Sequence, residues 1–184
     1  MKKLPLLVML MAVIGAVFSS CTDSDDDIDT AWRDANLKFY QDQLQLKDES
    51  GQPFYKLIVA PWDPNAQVLM HWFNDPNATA GNLSPLYSST VDVKYRLTTY
   101  NGTAIDSSFN LTKSYGDSIY RTNLTSVVSG WPIAITKMHI GDSCRVVVPY
   151  SQGYGTYNYS NIKAYSTLVF DIKLVGIPYY EAKP

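Results

Sequence analysis

Cysteine is nearly absent from this chain: Cys21 and Cys144 are the two in 184 residues. If Cys21 is modified, no intrachain disulfide can form, even outside the cytoplasm. Histidine is equally scarce, with His71 and His139 alone. Neither has a partner in any motif, so both read as structural. One spare thiol and two isolated histidines disfavour a zinc site or a Cys–His nucleophile pair. Basic charge is also short, with 15 Lys and Arg against 17 Asp and Glu. Without Lys2 and Lys3 the balance is thirteen against seventeen, a net charge near −4. That gives no electrostatic reason to bind nucleic acid or an anionic membrane surface.

Long apolar runs are confined to the start. Lys2 and Lys3 precede an apolar stretch from Leu4 to Phe18, followed by Ser19, Ser20 and Cys21. Charge, short apolar core and small residues in that order predict a secretory signal over residues 1–20, too short for a permanent span. The cysteine at the cleavage position resembles the lipobox of bacterial lipoproteins, with Phe18 in place of the usual aliphatic residue. The mature chain is therefore expected to begin at a lipidated Cys21. From Thr22 to Asp29 there are five aspartates and no base, which predicts a solvated tether over 21–29. An acidic stretch at this place resembles the signal that sends lipoproteins of Bacteroidetes-type bacteria to the outer face of the outer membrane. The expected location is the cell envelope, lipid-anchored to the outer membrane, on its periplasmic or its surface side.

Asp29 or Thr30 can cap a helix running to about Leu46, with Trp32, Ala35, Phe39 and Leu46 on one stripe and Leu37, Tyr40 and Leu44 beside it. Two readings fit that helix: packing on the main domain, or pairing with a second copy in a homodimer. Residues 30–53 comprise it and a loop. From Phe54 onward the pattern is that of strands. Tyr55–Val59 and Val68–Phe73 are short apolar runs around a loop with Pro61, Asp63 and Pro64. Val91, Val93, Tyr95 and Leu97 alternate with polar residues, and Asn101-Gly102 signals a hairpin. Ser118–Val128 is strand-like but weakly patterned. Gly130, Trp131 and Pro132 open a short helix in which Trp131, Ile135 and Met138 share a face and which Gly141 can end. Cys144, Val146 and Val148 alternate in the next strand, which marks Cys144 as buried core. A loop rich in Tyr, Gly, Ser and Asn spans 150–165, and Leu168, Phe170, Ile172 and Leu174 line one face of the last strand. The sum is an α+β fold, a twisted antiparallel sheet wrapped around one short helix with an added N-terminal helix.

Four collinear segments then spell a family. VDVKYRLTTYNGTAIDSS, VVSGWPIAITKMHIGDSCRVVVPY, the QGYG step and STLVFDIKLVGI resemble the FKBP-type peptidyl-prolyl cis-trans isomerases, over an expected domain of 54–184. The resemblance implies a curved antiparallel sheet around one helix and a pocket between them. It implies catalytic roles for Tyr95, Asp106, Trp131, Tyr154 and Phe170, with Trp131 as the floor under the substrate proline. It gives Ile105, Val127, Val128 and Ile162 to substrate binding. The implied partners are proline-containing polypeptides, and no metal or cofactor is called for. The implied function is catalysis of Xaa–Pro isomerisation in exported proteins. The alternative is a non-catalytic peptide-binding or chaperone lipoprotein that kept the pocket. Departures surround the site: Ile105 replaces a wall phenylalanine, Lys163-Ala164 replaces a common Pro-Pro, the loop 156–161 is about one residue short, and no base closely follows Ser108.

Overall fold

The computed structural model describes residues 29–110 and 115–179. The expected signal segment, Cys21 and the tether up to residue 28 lie outside the described residues. Helix α1 spans Thr30–Gln45, and Asp29 is its N-cap, its carboxylate accepting from the Trp32 N–H at 2.9 Å. Its buried face is centred on Asn36 and Tyr40, one turn apart, with Trp32, Phe39 and Leu44 half-buried beside them. The expected stripe is thus rotated, and Leu37 and Leu46 are exposed. The polar Asn36 takes the buried place because a partner awaits it on the main domain.

Among the described residues, seven strands form one antiparallel sheet: β1 (Lys56–Ala60), β2 (Asp63–Trp72), β3 (Thr90–Thr99), β4 (Ala104–Ser107), β5 (Tyr120–Asn123), β6 (Ser143–Val148) and β7 (Leu168–Gly176). The order is β1-β2-β6-β7-β3-β4, and β5 pairs with the other half of β3's outer edge. The loop expected around Pro61 is only two residues, because β2 begins at Asp63. Pro64 is tolerated there since the register with β1 breaks between Val59 and Ala60, leaving this end outside the regular ladder. The block 118–128 yields a strand over just four residues, then a 3-10 turn at Leu124–Ser126.

Alternation decides which side chains face inward. Val91, Val93, Tyr95 and Leu97 of β3 and Leu168, Phe170, Ile172 and Leu174 of β7 are buried on one face. Against that face lies the short helix α2 (Gly130–Ile135), all six residues buried. It is shorter than expected. Lys137 and Met138 donate to carbonyls three residues back, so the chain leaves α2 in tight turns, and Gly141 (φ +102°) bends it into β6 instead of capping the helix. The opposite face carries a second cluster, Tyr40, Tyr55, Leu69 and Val147, covered by α1. Val147 is therefore buried too, on the same face of β6 as Arg145, which pairs with Asp171 at 2.7 Å.

Gly130 is where α2 and the sheet touch. A methyl group there would stand 2.5 and 2.8 Å from the two γ carbons of fully buried Val148. Gly130→Ala is expected to destabilise the fold by about 1–3 kcal/mol in urea unfolding, despite alanine's better helix propensity. Combined with Val148→Ala, it should cost less than the two single changes summed.

Candidate active site

Sheet and α2 bring the aromatic residues together. β3 presents Tyr95, β7 presents Phe170, and the first turn of α2 presents Trp131, all buried in one cluster. Trp131 meets its neighbours edge-on: Tyr95 at 5.3 Å and 78°, Phe170 at 5.5 Å and 83°, Tyr120 at 6.2 Å and 85° between ring centroids and planes. Three rings standing nearly perpendicular to one indole make a floor with walls. Edge-to-face contact is also the favoured geometry for such rings.

The Trp131 Nε1–H is buried and has no hydrogen-bond partner among the described residues. Leaving a buried donor unmet costs about 1–3 kcal/mol, so packing alone would favour phenylalanine here. The unmet donor belongs to the indole at the centre of the ring cluster.

The remaining predicted residues lie within or against the core that holds these rings, or bond to it. Ile105, Val127, Val128 and Tyr154 are half-buried against the same cluster, and Ile162 is buried within it. Val127 and Val128 lead directly into α2, the Val128 carbonyl accepting from the Trp131 N–H at 2.9 Å. Tyr154 stacks on Tyr159, with centroids 4.4 Å apart and planes 8° from parallel. Asp106, exposed on β4 opposite Leu97, accepts from the Tyr95 hydroxyl at 2.5 Å and from the Ser107 N–H at 2.7 Å. Those are its partners among the described residues, in place of an ionic one. Buried Ser108 accepts from the Tyr95 N–H at 2.9 Å and so fixes the strand where the ring departs.

Burial, reinforced by the hydrogen bond to Asp106, pushes the Tyr95 phenol above its usual range. Burial and the neighbouring Tyr159 raise Tyr154 as well. Both phenols therefore remain protonated donors at neutral pH. None of this resembles a nucleophile with its base. It is an apolar box with a polar edge.

The sequence profile of the FKBP-type peptidyl-prolyl cis-trans isomerases matches residues 82–175, half of the chain. The chain belongs to that family. The macrophage infectivity potentiator of Trypanosoma cruzi is 28% identical over 171 residues, covering 90% of this chain and 80% of that protein. The isomerase FkpA of Escherichia coli K12 is 31% identical over 104 residues, covering 55% of this chain and 37% of FkpA. Among solved structures, a peptidyl-prolyl cis-trans isomerase from Pseudomonas syringae pv. tomato superposes with a TM-score of 0.61 at 25% identity, over 83% of this chain and 98% of that one.

For an FKBP-type domain, one wall went unread in the sequence. Tyr120 lies 5.5 Å from Tyr95 and edge-on to Trp131. Its signal was faint, since β5 is short and unpatterned. Only the pairing of Tyr120 with Val93, an inward position of β3, turns the ring toward the pocket. The two histidines lie elsewhere: His71 stacks on Phe54 at 4.0 Å, with Nδ1 2.9 Å from the Phe54 carbonyl, and His139 sits beside Asp142. Cys144 is free and buried, and burial pushes its thiol pKa up, which leaves it inert.

Proposed function

We propose that this chain is a folding catalyst that isomerises Xaa–Pro bonds in proteins exported to the cell envelope, held to the outer membrane by a lipid on Cys21. The observation that carries the reading is the aromatic box with, at its floor, a Trp131 donor that has no partner among the described residues. Trp131 supports the proline ring, and Tyr95, Phe170 and Tyr120 wall it. Ile105, Val127, Val128 and Ile162 close the apolar contact, and the Tyr154 hydroxyl donates to a substrate carbonyl. Asp106 holds the Tyr95 hydroxyl and with it the orientation of that wall.

The reaction asks little more than this. The prolyl amide isomerises over a barrier of about 18–20 kcal/mol because rotation breaks amide resonance. The planar amide is the more polar state, with negative charge on oxygen that water stabilises. A dry pocket withdraws that solvation from the ground state and loses less from the twisted one. Apolar contact with the ring leaves the preceding bond free to turn. Ile105 keeps the wall apolar but supplies less flat surface than an aromatic residue, which weakens the grip on that side.

The anchor would keep such a catalyst where newly exported chains fold. The test is a refolding reaction limited by a native cis proline. Catalytic amounts of the full chain should shorten the slow phase, and Cys21→Ala should abolish acylation with radiolabelled palmitate while leaving catalysis intact. A folded chain that leaves the slow phase untouched but binds the refolding protein would support a holding function and refute the catalytic one.

A further inference from the structure

Helix α1 lies outside the segment that matches the family, yet it is fastened to the loop bordering the pocket. Fully buried Asn36 makes the central attachment. Its Oδ1 accepts from the Thr167 N–H at 2.7 Å, its backbone carbonyl accepts from the Thr167 hydroxyl at 3.2 Å, and its Nδ2 donates to the Trp32 carbonyl at 2.8 Å. One turn earlier, Trp32 Nε1 donates to Ser166 Oγ at 3.2 Å. Ser166 in turn donates to the Lys163 carbonyl at 2.7 Å. Lys163 lies over the Trp32 ring at 5.1 Å and pairs with Asp29 at 2.9 Å. Three of the five residues from Lys163 to Thr167 are thus engaged by the first two turns of α1 and its N-cap Asp29.

This limb joins the two walls of the pocket. Ile162, which precedes it, pairs with Tyr159 through two backbone bonds of 2.9 Å, and Tyr159 carries the stacked Tyr154. Thr167, which ends it, leads into β7 and Phe170. Within the limb Tyr165 has φ +61°, and Ser160 before it has φ +52°. A bulky tyrosine adopts that conformation only where its surroundings enforce it. The Tyr165 N–H bond to Gly155, at 2.9 Å, and the fastening of Ser166 and Thr167 to α1 provide the enforcement.

We propose that α1 is a strap that holds the pocket loop in its substrate-ready shape, with Asn36 as the positioning residue. The effect on catalysis rests on the isomerase reading; the effect on the loop does not. An asparagine on the buried face is costly unless every polar atom is met. Here it is met by a residue 131 positions away, on the limb that ends at the pocket.

The test uses the full chain with Asn36→Ala, and hydrogen exchange read amide by amide. The Tyr159, Ile162 and Tyr165 amides should exchange about tenfold faster or more, while those of Val146 and Phe170 in the sheet keep wild-type rates. kcat/KM for a Xaa–Pro peptide should fall at least fivefold, chiefly through KM, since the loop contacts the bound peptide and the box is untouched. If Asn36→Ala does not fold, Trp32→Phe with Lys163→Met removes two outer ties and must give the same pattern at smaller size. Loop amides at wild-type rates overturn the proposal, and so do loosened amides with kcat/KM within twofold of wild type. A wild-type chain without isomerase activity would sink the proposed function, and the exchange rates alone would then decide whether α1 straps the loop.

Discussion

Trp131→Ala should lower kcat/KM for a Xaa–Pro peptide by about 10–100-fold. Three ring methylenes of the substrate proline, at about 0.8 kcal/mol each when buried, set the upper part of that range, and partial refilling by Tyr95, Phe170 and Tyr120 sets the lower. Because the indole is almost wholly buried, the same change should remove about 3–5 kcal/mol of stability. Activity must therefore be measured well below the melting temperature, with near-UV circular dichroism confirming the fold. Trp131→Phe separates the two effects. It deletes a buried N–H that has no partner among the described residues, so stability should change by less than about 1 kcal/mol. If Trp131 were core alone, its replacement by phenylalanine would leave activity alone as well. The site reading expects a measurable drop in kcat/KM with little change in melting temperature.

The largest loss of stability from one polar residue is expected at Asp142, far from the chemistry. Its side chain is fully buried and accepts four hydrogen bonds. Thr79 donates at 2.5 Å and Asn74 at 3.0 Å to one oxygen, the His139 N–H at 2.8 Å and Trp72 Nε1 at 3.3 Å to the other. Together they fasten the long β2–β3 connection to the turn between α2 and β6. Asp142→Ala would strand those donors and is expected to cost about 3–5 kcal/mol, a fall in melting temperature on the order of 10 °C. Burial alone would raise this carboxyl's pKa, but the hydrogen bonds outweigh it and hold the group below its usual value. A folded pKa below the unfolded one gives stability that is complete above the unfolded value, near 4, and disappears as pH falls through the folded one. Urea unfolding should therefore show the gap between wild type and Asp142→Asn in full at pH 7 and progressively smaller below about pH 4. A gap that is constant with pH would show that the charge is not what the four donors bind.

Much of this was legible in the chain because one physical rule wrote it. Strands buried on one face must alternate, so β3 and β7 could be read residue by residue, and the inward positions carried Tyr95 and Phe170 to the pocket. The segment around Gly-Trp-Pro placed Trp131 at the start of a helix for the same kind of reason. What could not be read depends on contacts between distant residues. Helix α2 is buried on every side, so it has no amphipathic period from which to date its end, and Met138 looked helical when it lies in a turn. Tyr120 reaches the box through the pairing of β5 with β3. Asn36 is buried only because Thr167 meets it. Asp142 looked like an ordinary turn aspartate until Trp72, Asn74 and Thr79 closed around it. The departures Ile105 and Lys163 were visible as letters, but only the fold shows that Lys163 belongs to the ties with α1.

The central claim is catalysis by an apolar aromatic box. Exchange spectroscopy on a proline-containing peptide, with the folded chain at one-hundredth of the peptide concentration, measures it directly. Wild type should speed the cis–trans exchange well above its spontaneous rate of once in tens to hundreds of seconds, and Trp131→Ala at equal folded concentration should lose most of that acceleration. A folded wild-type chain that leaves the exchange at its spontaneous rate would contradict the account.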